Sequence, residues 1–297
     1  MRRFFLFIFF PLVLFSEQRS DYPLLSVDTF LAVADHVVEV TLQRFDPLKV
    51  KPGDIVFVAS PSVQMFLKKV LPKIQSNFVM ITSNSCGTVT DRYLSYLEDP
   101  HLVAWFGMNI TFSHPKIHPI PLGIPESRYP NYPEIVKRVE ILKAIEQDLS
   151  LDLFFKPKPI HTYLNINTCS NCKRSVVRDY FAAQSYCKVE AIKPFHEYME
   201  EVKNSRFVLS PRGANIDCYR TWETLYAGSI PVVESLGIDR VYEDLPVVIV
   251  EDLTAVTQEQ LDEAFEALKD RAFKLEKLHA DYWFNELKKA QESCLFP

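Results

Sequence analysis

The chain has 297 residues, of which 47% are apolar and 24% charged, and this composition is typical of a folded protein with room for two domains. The net charge is −5 and no basic run appears, which argues against a nucleic-acid function resting on a positive surface. An anionic ligand would have to be held by a few individual arginines.

The chain begins with Arg2 and Arg3, followed by an apolar run from Phe4 to Phe15. Twelve helical residues span roughly 18 Å, which is less than the ~30 Å core of a bilayer. Residues 1–16 are therefore predicted to be a signal peptide, with an uncleaved membrane anchor as the alternative. Either one directs the chain to the secretory pathway or the cell envelope.

The first half of the chain alternates short apolar runs with helix-like segments. Strands are predicted over 55–59, 78–83, 101–106 and 117–122, and helices over 27–40 and 60–74. The second helix begins at Ser60-Pro61, a pair typical of a helix start. A helix between the first two strands, and turn residues at the strand ends, indicate βαβ units and a parallel sheet.

The pattern restarts after a proline-rich boundary at 154–159. A helix over 134–148 precedes the boundary, and strands follow over 161–167, 188–192, 206–210, 230–233 and 247–250. Further helices are predicted over 171–183, 194–204 and 217–227, and one long helical segment over 257–291. The predicted fold is α/β: two Rossmann-like domains, 17–155 and 156–297, with parallel sheets facing across a cleft. The final helix is expected to cross back to the first domain.

The junction that follows the strand near Leu209 has the composition of an anion site. Gly213 permits a close approach of the backbone, and a helix beginning near Asp217 would present free amide groups to a phosphate. Arg212 and Arg220 add guanidinium groups, and Glu223 could accept from a ribose hydroxyl. The structural alternative is that Asp217 caps the helix while Arg220 and Glu223 form a surface pair.

The stretch FVLSPRGANIDCYRTWETLYAGSIPVV, residues 207–233, resembles the carboxyl-half signature of exostosin-like glycosyltransferases. These are two-domain enzymes of the GT-B type that use nucleotide sugars. The amino half is similar more loosely, through KPGDIVF at 51–57, ITSNS at 81–85 and IPLGI at 120–124. The chain departs from the animal exostosins in its shorter length, and a single transferase domain is expected.

The resemblance implies a glycosyltransferase that moves a sugar from a UDP- or GDP-sugar to a hydroxyl of a glycan or another acceptor. It implies inversion at the anomeric carbon, and no metal or other cofactor is expected. The donor-binding residues are expected to be Arg174, Ser210, Arg212, Gly213, Asn215, Arg220 and Glu223.

The acceptor side is less defined. Ser83, Asn84 and Ser85 end a predicted strand and are expected to face the acceptor or the donor sugar, although the same residues also form turns. Inverting transfer needs a general base, for which Asp91 and Glu126 are the two candidates. The sequence does not choose between them.

Two other readings remain open. An exported, non-catalytic protein that binds a sugar or a nucleotide would have the same two domains. Cys169 and Cys172 form a CxxC between a strand and a helix, as in thiol oxidoreductases, with a local disulfide or two free thiols as alternatives. The sequon at Asn109 follows an apolar run, which makes its glycosylation doubtful.

Overall fold

Two parallel sheets organise the molecule. The computed structural model of the protein describes residues 24–38, 45–83, 87–125 and 133–295. The strands of the first half are β1 (His36–Val38), β2 (Ile55–Ala59), β3 (Phe78–Ser83), β4 (Leu102–Gly107) and β5 (Ile117–Pro119). They form one sheet in chain order, and every neighbouring pair is parallel.

The helices of the first half are short. They are α1 (Val27–Ala32) and α2 (Val63–Lys69), with 3-10 helices at Pro47–Lys49, Ser60–Ser62, Leu71–Lys73 and Asp91–Glu98. Prolines at positions 47, 61 and 72 stand in the first turns of three of these 3-10 helices. The helix predicted over 60–74 is thus divided into three pieces, because Pro72 has no amide hydrogen to continue α2.

Two helices precede the second sheet along the chain, α3 (Pro133–Glu146) and α4 (Asp152–Phe155). Its strands are β6 (Ile160–Asn165), β7 (Cys187–Glu190), β8 (Ser205–Leu209), β9 (Ile230–Glu234) and β10 (Val248–Val250). The helices among and after them are α5 (Lys173–Ala182), α6 (Phe195–Lys203), α7 (Tyr219–Tyr226), α8 (Gln258–Lys269) and α9 (Ala280–Leu295). Further 3-10 helices lie at Asp239–Tyr242, Leu253–Ala255 and Leu275–Leu278.

The five strands of the second sheet lie in the order β10-β9-β8-β6-β7 and are all parallel. Because the chain goes from β6 outward to β7 and then returns to β8, the direction of winding reverses between β6 and β8. Ligands of such sheets bind outside the carboxyl ends of the strands at this reversal. The predicted fold class, α/β with two parallel sheets, is confirmed.

Alternate residues of the first sheet enter two different cores. Val56 and Val58 of β2 pack in a core with Phe66 of α2, whereas Ile55 and Phe57 face the opposite side of the sheet. This period of two is that of a strand buried on both faces. The core that contains Ile55 and Phe57 also includes residues of the second sheet, so one apolar cluster joins both sheets.

The last helix packs against the first sheet. α9 contacts β3 and β4, and its residues Trp283, Phe284 and Leu287 are buried in the shared core. Near its end, the Gln291 side chain donates to the carbonyl oxygen of Gly53 at 2.7 Å. The domain division at 155/156 remains a prediction, and α3, which precedes it, packs against α6 and α7.

Two further sequence predictions differ from the structure. The helix predicted over 27–40 ends at Ala32, and His36–Val38 is a strand, because the segment pairs with β2: the amide of Asp35 donates to the carbonyl oxygen of Ile55 at 3.0 Å. The long helix predicted over 257–291 is two helices. The chain between them is held by Lys274, whose amide and ammonium groups bond to Asp244.

No helix of the described part of the chain is long and apolar enough to cross a membrane. The predicted leader, residues 1–16, lies outside the described residues.

Candidate donor-binding site

A cavity of about 420 Å³ lies beyond the carboxyl ends of β6 and β7. It is next to the point between β6 and β8 where the direction of winding reverses. The loops after these strands and the first turns of α5, α6 and α7 contribute its walls, and α3 contributes one residue. The lining residues are Arg138, Asn165, Asn167, Ser170, Arg174, Ile192, Lys193, Phe195, Tyr198, Cys218, Tyr219, Arg220 and Glu223.

Arg174 lies in the first turn of α5 and braces the loop that follows β8. Its Nε donates to the carbonyl oxygen of Arg212 at 2.9 Å, and one Nη donates to that of Pro211 at 2.9 Å. The other Nη donates to the carbonyl oxygen of Asn167 at 3.1 Å. Three of the five guanidinium hydrogens are thus committed to backbone, which leaves two for a ligand in the cavity.

Arg220 is the second residue of α7 and lines the cavity. One of its Nη atoms donates to the carbonyl oxygen of Asn165 at 2.5 Å, and its Nε is buried with no hydrogen-bond partner among the described residues. Burial lowers the pKa of Arg174, and the positive charge of Arg220 lowers it further. Burial would lower the pKa of Arg220, but the nearby Tyr198, Cys218 and Glu223 raise it overall. An anion in the cavity would therefore chiefly stabilise the charge of Arg174.

Glu223 is a buried carboxylate in the wall of this cavity. Its Oε2 accepts from the hydroxyl of Tyr198 at 3.1 Å, and only 6% of the residue is exposed. Burial raises the pKa of Glu223, while the charge of Arg220 and the Tyr198 bond oppose the shift. The alternative prediction of an Arg220–Glu223 pair on the surface is wrong, because both side chains face the cavity.

Two further cationic residues line the cavity, and the sequence pattern marks neither of them as a site residue. Arg138, on α3, is exposed and lies over the ring of Phe195, with its guanidinium carbon 5.1 Å from the ring centre. Lys193 forms ion pairs with Glu201 at 2.7 Å and Glu190 at 3.3 Å. No local motif marks either residue, since α3 and the loop after β7 meet the cavity only through the tertiary fold.

Arg212 and Gly213 occupy different positions relative to the cavity. The side chain of Arg212 is not part of the lining, and its Nε is buried without a partner in the described structure. Gly213 lies against the wall: a Cβ atom there would stand 3.1 Å from Nη2 of Arg174 and 3.7 Å from the Oγ of Ser170. Glycine thus allows Arg174 to pack against this turn.

The remaining donor candidates in the loop contact the first half of the molecule or the core. The side-chain oxygen of Asn215 accepts from the Nδ2 of Asn109 at 3.0 Å. Ser210 is buried, with its Oγ unpaired among described atoms. Neither residue lines the cavity. Asn109, the sequon residue, is itself only 3% exposed.

Asp217 does not cap α7, whose preceding residue is Cys218. Its buried carboxylate accepts from the amide of Leu122 at 2.8 Å, the indole of Trp222 at 2.7 Å and the hydroxyl of Tyr242 at 2.9 Å. Since Leu122 belongs to the first half, this one carboxylate connects the loop beside the cavity to the other half of the molecule.

The predicted acceptor side is only partly described. Ser83 is fully buried, and its Oγ bonds to the sulfur of Met108 at 3.5 Å, so its side chain does not reach a cleft. Asn84, Ser85 and Glu126 lie outside the described residues. Asp91 is exposed at the first position of the 3-10 helix Asp91–Glu98 and does not line the cavity.

The CxxC lies beside the cavity, in the loop between β6 and α5. Cys169 and Cys172 are exposed free thiols, while Ser170 between them lines the cavity. Asn171 holds this loop against the Gly213 turn by donating to the glycine carbonyl oxygen at 3.1 Å. No group of three or more His, Cys, Asp or Glu side chains that could hold a metal occurs in the described ranges.

Residues 166–243 match the sequence model of the family described as RXYLT1 C-terminal domain. The match begins just after β6 and ends just after the 3-10 helix Asp239–Tyr242, so it includes Arg174, Arg220 and Glu223. It confirms, for this segment, the resemblance to exostosin-like glycosyltransferases. No curated protein matches the chain.

Several solved glycosyltransferase structures are distantly similar. An alpha1,3-fucosyltransferase shares 12% identity with a TM-score of 0.42, over 83% of this chain and 80% of that one. The GtfA/B complex shares 9% with a TM-score of 0.39, over 82% and 58%. An alpha-glucosyltransferase in complex with UDP-glucose and DNA containing an abasic site shares 11% with a TM-score of 0.27, over 81% and 75%.

Proposed function

We propose that the protein is a glycosyltransferase that moves a hexosyl or pentosyl group from a nucleotide-diphosphate sugar to a hydroxyl of a glycan or another acceptor. The observation that carries the proposal is the pairing of Arg174 and Arg220 with the buried carboxylate of Glu223 in one cavity. The cavity lies at the winding reversal of a parallel sheet and within the segment that matches the exostosin-like family.

The diphosphate of the donor is the natural ligand for the cationic wall. The charge of Arg220 repels that of the buried Arg174, and the exposed Arg138 adds positive charge to the same cavity. Lys193 is already paired with Glu201 and Glu190. A ligand with two phosphates would relieve this repulsion, and guanidinium groups bind phosphate oxygens through two parallel hydrogen bonds. The free hydrogens of Arg174 are available for such bonds.

Glu223 is proposed to accept hydrogen bonds from the ribose hydroxyls. It is the one carboxylate in the lining of this described cavity, and Tyr198 fixes one of its oxygens. A hydroxyl is a donor that a buried carboxylate binds well, whereas a second phosphate beside it would be repelled. The nucleoside would then lie on the α6 side, with the exposed Ile192 and the partly buried Phe195 at the rim.

In the proposed reaction, an acceptor hydroxyl oxygen forms a bond to the anomeric carbon while the bond from that carbon to the diphosphate oxygen breaks. The negative charge that develops on the departing diphosphate is stabilised by the guanidinium groups, without a required metal ion. Attack from the opposite face inverts the anomeric carbon. A general base takes the proton of the hydroxyl, and Asp91 and Glu126 remain the candidates for it.

The test is calorimetric titration of the protein with UDP, UMP, GDP and GMP in the presence of a chelator. One diphosphate is expected to bind at least about tenfold more tightly than its monophosphate, because the second phosphate adds a charged hydrogen bond of about 1.5–3 kcal/mol. Arg138→Met should weaken this preference, whereas Arg271→Met, an exposed arginine over Phe273, should not. Equal affinity for monophosphates and diphosphates would contradict the proposal.

The alternative is an exported protein that binds a nucleotide or a sugar without turnover. The same titrations would then succeed, but sugar transfer to any acceptor and slow hydrolysis of the donor would both be absent. Release of the nucleoside diphosphate from radiolabelled donor sugars therefore separates the two functions.

A further inference from the structure

A cluster of unpaired lysines covers one outer face of the first half. Lys68, Lys69 and Lys73 follow one another on α2 and the adjoining 3-10 helix Leu71–Lys73, and all three are exposed. Lys49 and Lys51 come from the 3-10 helix Pro47–Lys49 and the turn after it. The helices Pro47–Lys49 and Leu71–Lys73 contact each other, so the five lysines belong to one surface, termed the basic face below.

Few carboxylates lie close to these lysines along the sequence. None of its five lysines has a salt bridge in the described structure, and 45–75 contains just two acidic residues. Asp46 accepts from the amide of Leu48, and Asp54 accepts from the amide of Lys51 and bonds to His36 at 2.7 Å. This concentration of positive charge contrasts with the net charge of −5 for the whole chain.

Large apolar side chains are exposed within the same face. Met65 precedes Lys68 and Lys69 by one helical turn and is 48% exposed, and Leu48, beside Lys49, is 69% exposed. The opposite side of α2 is buried through Val63, Phe66 and Leu67, so this helix presents an apolar inner side and a mixed outer side. Lysines around exposed apolar residues are typical of surfaces that lie on membranes.

The position of the basic face fits attachment through the start of the chain. Leu24 contacts His279, next to the first residue of α9, and the other end of α9 contacts Gly53, close to Lys51. α9 has 16 residues and is about 24 Å long. The stretch 15–24 can span about 30 Å, so the apolar run Phe4–Phe15 and the basic face can reach the same membrane plane.

We propose that the basic face docks on an anionic lipid surface. The lysine ammonium groups contact lipid phosphates and carboxylates, while Leu48 and Met65 enter the boundary between headgroups and acyl chains. Lys49 and Lys51 precede β2, at the amino end of the first sheet, and none of the five lysines lines the donor cavity. The inference is independent of the reaction that the cavity performs.

The test compares binding of the full chain to phosphatidylcholine vesicles with and without phosphatidylserine. Any contribution of the apolar run Phe4–Phe15 is common to both kinds of vesicle, so the ratio of the two affinities isolates the electrostatic contribution. Each lysine near an anionic surface contributes about fivefold, so the triple variant Lys68→Gln, Lys69→Gln, Lys73→Gln should reduce the ratio by about 100-fold. Leu48→Ser with Met65→Ser should weaken binding to both vesicles.

The matched control neutralises three exposed lysines elsewhere, in the triple variant Lys137→Gln, Lys143→Gln, Lys156→Gln. The proposal is overturned if the control lowers the ratio as much as the basic-face variant does. It is also overturned if the wild-type chain shows no preference for phosphatidylserine, or if dextran sulfate binds the basic face while the anionic vesicles do not. Circular dichroism of each variant shows whether the fold is kept.

Discussion

Glu223 is the residue whose environment is most distinctive, since its carboxylate is buried in a cavity rich in cations and is held by Tyr198. Glu223→Gln keeps the shape of the side chain and its contact with Tyr198, but removes the negative charge. We expect the affinity for the nucleoside diphosphate to fall about tenfold, because a hydrogen bond to a charged acceptor is worth more than one to a neutral acceptor. Calorimetric titration measures this, with a thermal melting curve to verify that the fold is intact.

The result for Glu223 depends on charge, so Glu223→Asp is the informative companion variant. It keeps the carboxylate and draws it back by one methylene. If the wild type, Glu223→Gln and Glu223→Asp all bind diphosphates with the same affinity, Glu223 does not contact the ligand.

Lys158 provides a test of the structure outside the cavity. Its ammonium donates to the carbonyl oxygen of Gly228 at 2.5 Å and to the Oγ of Ser229 at 2.6 Å. Burial is the main cause that lowers its pKa to about 7, with the charges of Lys156 and Lys203 adding to it. The unfolded lysine titrates near 10.5. Between these two values the unfolded chain binds more protons, so the free energy of unfolding rises with pH.

Lys158→Met should remove this dependence. The wild-type stability is expected to rise relative to the variant from about pH 7 to about pH 9, by at most about 1.4 kcal/mol per pH unit. Urea unfolding followed by tryptophan fluorescence measures the difference, and Lys143→Met serves as the exposed control. If the free energy of unfolding depends on pH in the same way for the wild type and Lys158→Met, burial does not hold this lysine neutral.

At the scale of elements, the turn between β8 and α7 determines how Arg174 is held. A Cβ atom at Gly213 would approach Nη2 of Arg174 to 3.1 Å, so Gly213→Ala should shift the guanidinium group by a few tenths of an ångström. The expected result is weaker diphosphate binding with little change in the melting temperature. Gly237→Ala is the control, as a crowded glycine far from the cavity lining, and should lower the melting temperature alone.

The loop between β6 and α5 separates the transferase proposal from a thiol oxidoreductase. Cys169 and Cys172 are exposed and free, and neither side chain lines the cavity. The double variant Cys169→Ser, Cys172→Ser should therefore keep nucleotide binding and sugar transfer. An insulin-reduction assay on the wild type completes the test: reductase activity that disappears in the variant, together with no detectable transfer, would favour the redox function.

The sequence predicts best the elements in which most side chains are apolar, because such runs are buried in the core. The strand at 55–59 is apolar throughout and the strand at 78–83 begins with four apolar residues, and the structure has both with the same bounds. The helix predicted over 27–40 failed at β1 because pairing with β2 outweighed the helical pattern. Short segments are decided by tertiary contacts, which a local pattern does not contain.

The same distinction applies to the site. Arg174, Arg220 and Glu223 lie in or next to segments with a recognisable signature, and the fold brings them together around one cavity. Arg138 and Lys193 have no such signature and reach the cavity through the packing of α3 and through the loop after β7. Arg212, which the pattern favours most, contributes its backbone carbonyl to Arg174, and its side chain does not line the cavity.

At the scale of the whole molecule, Asp217 couples the two halves. Asp217→Ala would leave the amide of Leu122, the indole of Trp222 and the hydroxyl of Tyr242 buried without this acceptor. Each such group costs about 1–3 kcal/mol, so we expect at least about 3 kcal/mol of destabilisation. Urea unfolding measures the loss. Asp217→Asn should cost less, and an unchanged midpoint for Asp217→Ala would show that the halves are not joined through this carboxylate.

The central claim is that the cavity bounded by Arg174, Arg220 and Glu223 is where a nucleoside diphosphate binds. The most direct measurement is a crystal structure of the protein with UDP or GDP, whichever stabilises it more against heat. We expect phosphate oxygens within hydrogen-bond distance of Arg174 and Arg220, and a ribose hydroxyl within hydrogen-bond distance of Glu223. A diphosphate bound elsewhere on the molecule, with this cavity holding solvent, would contradict it.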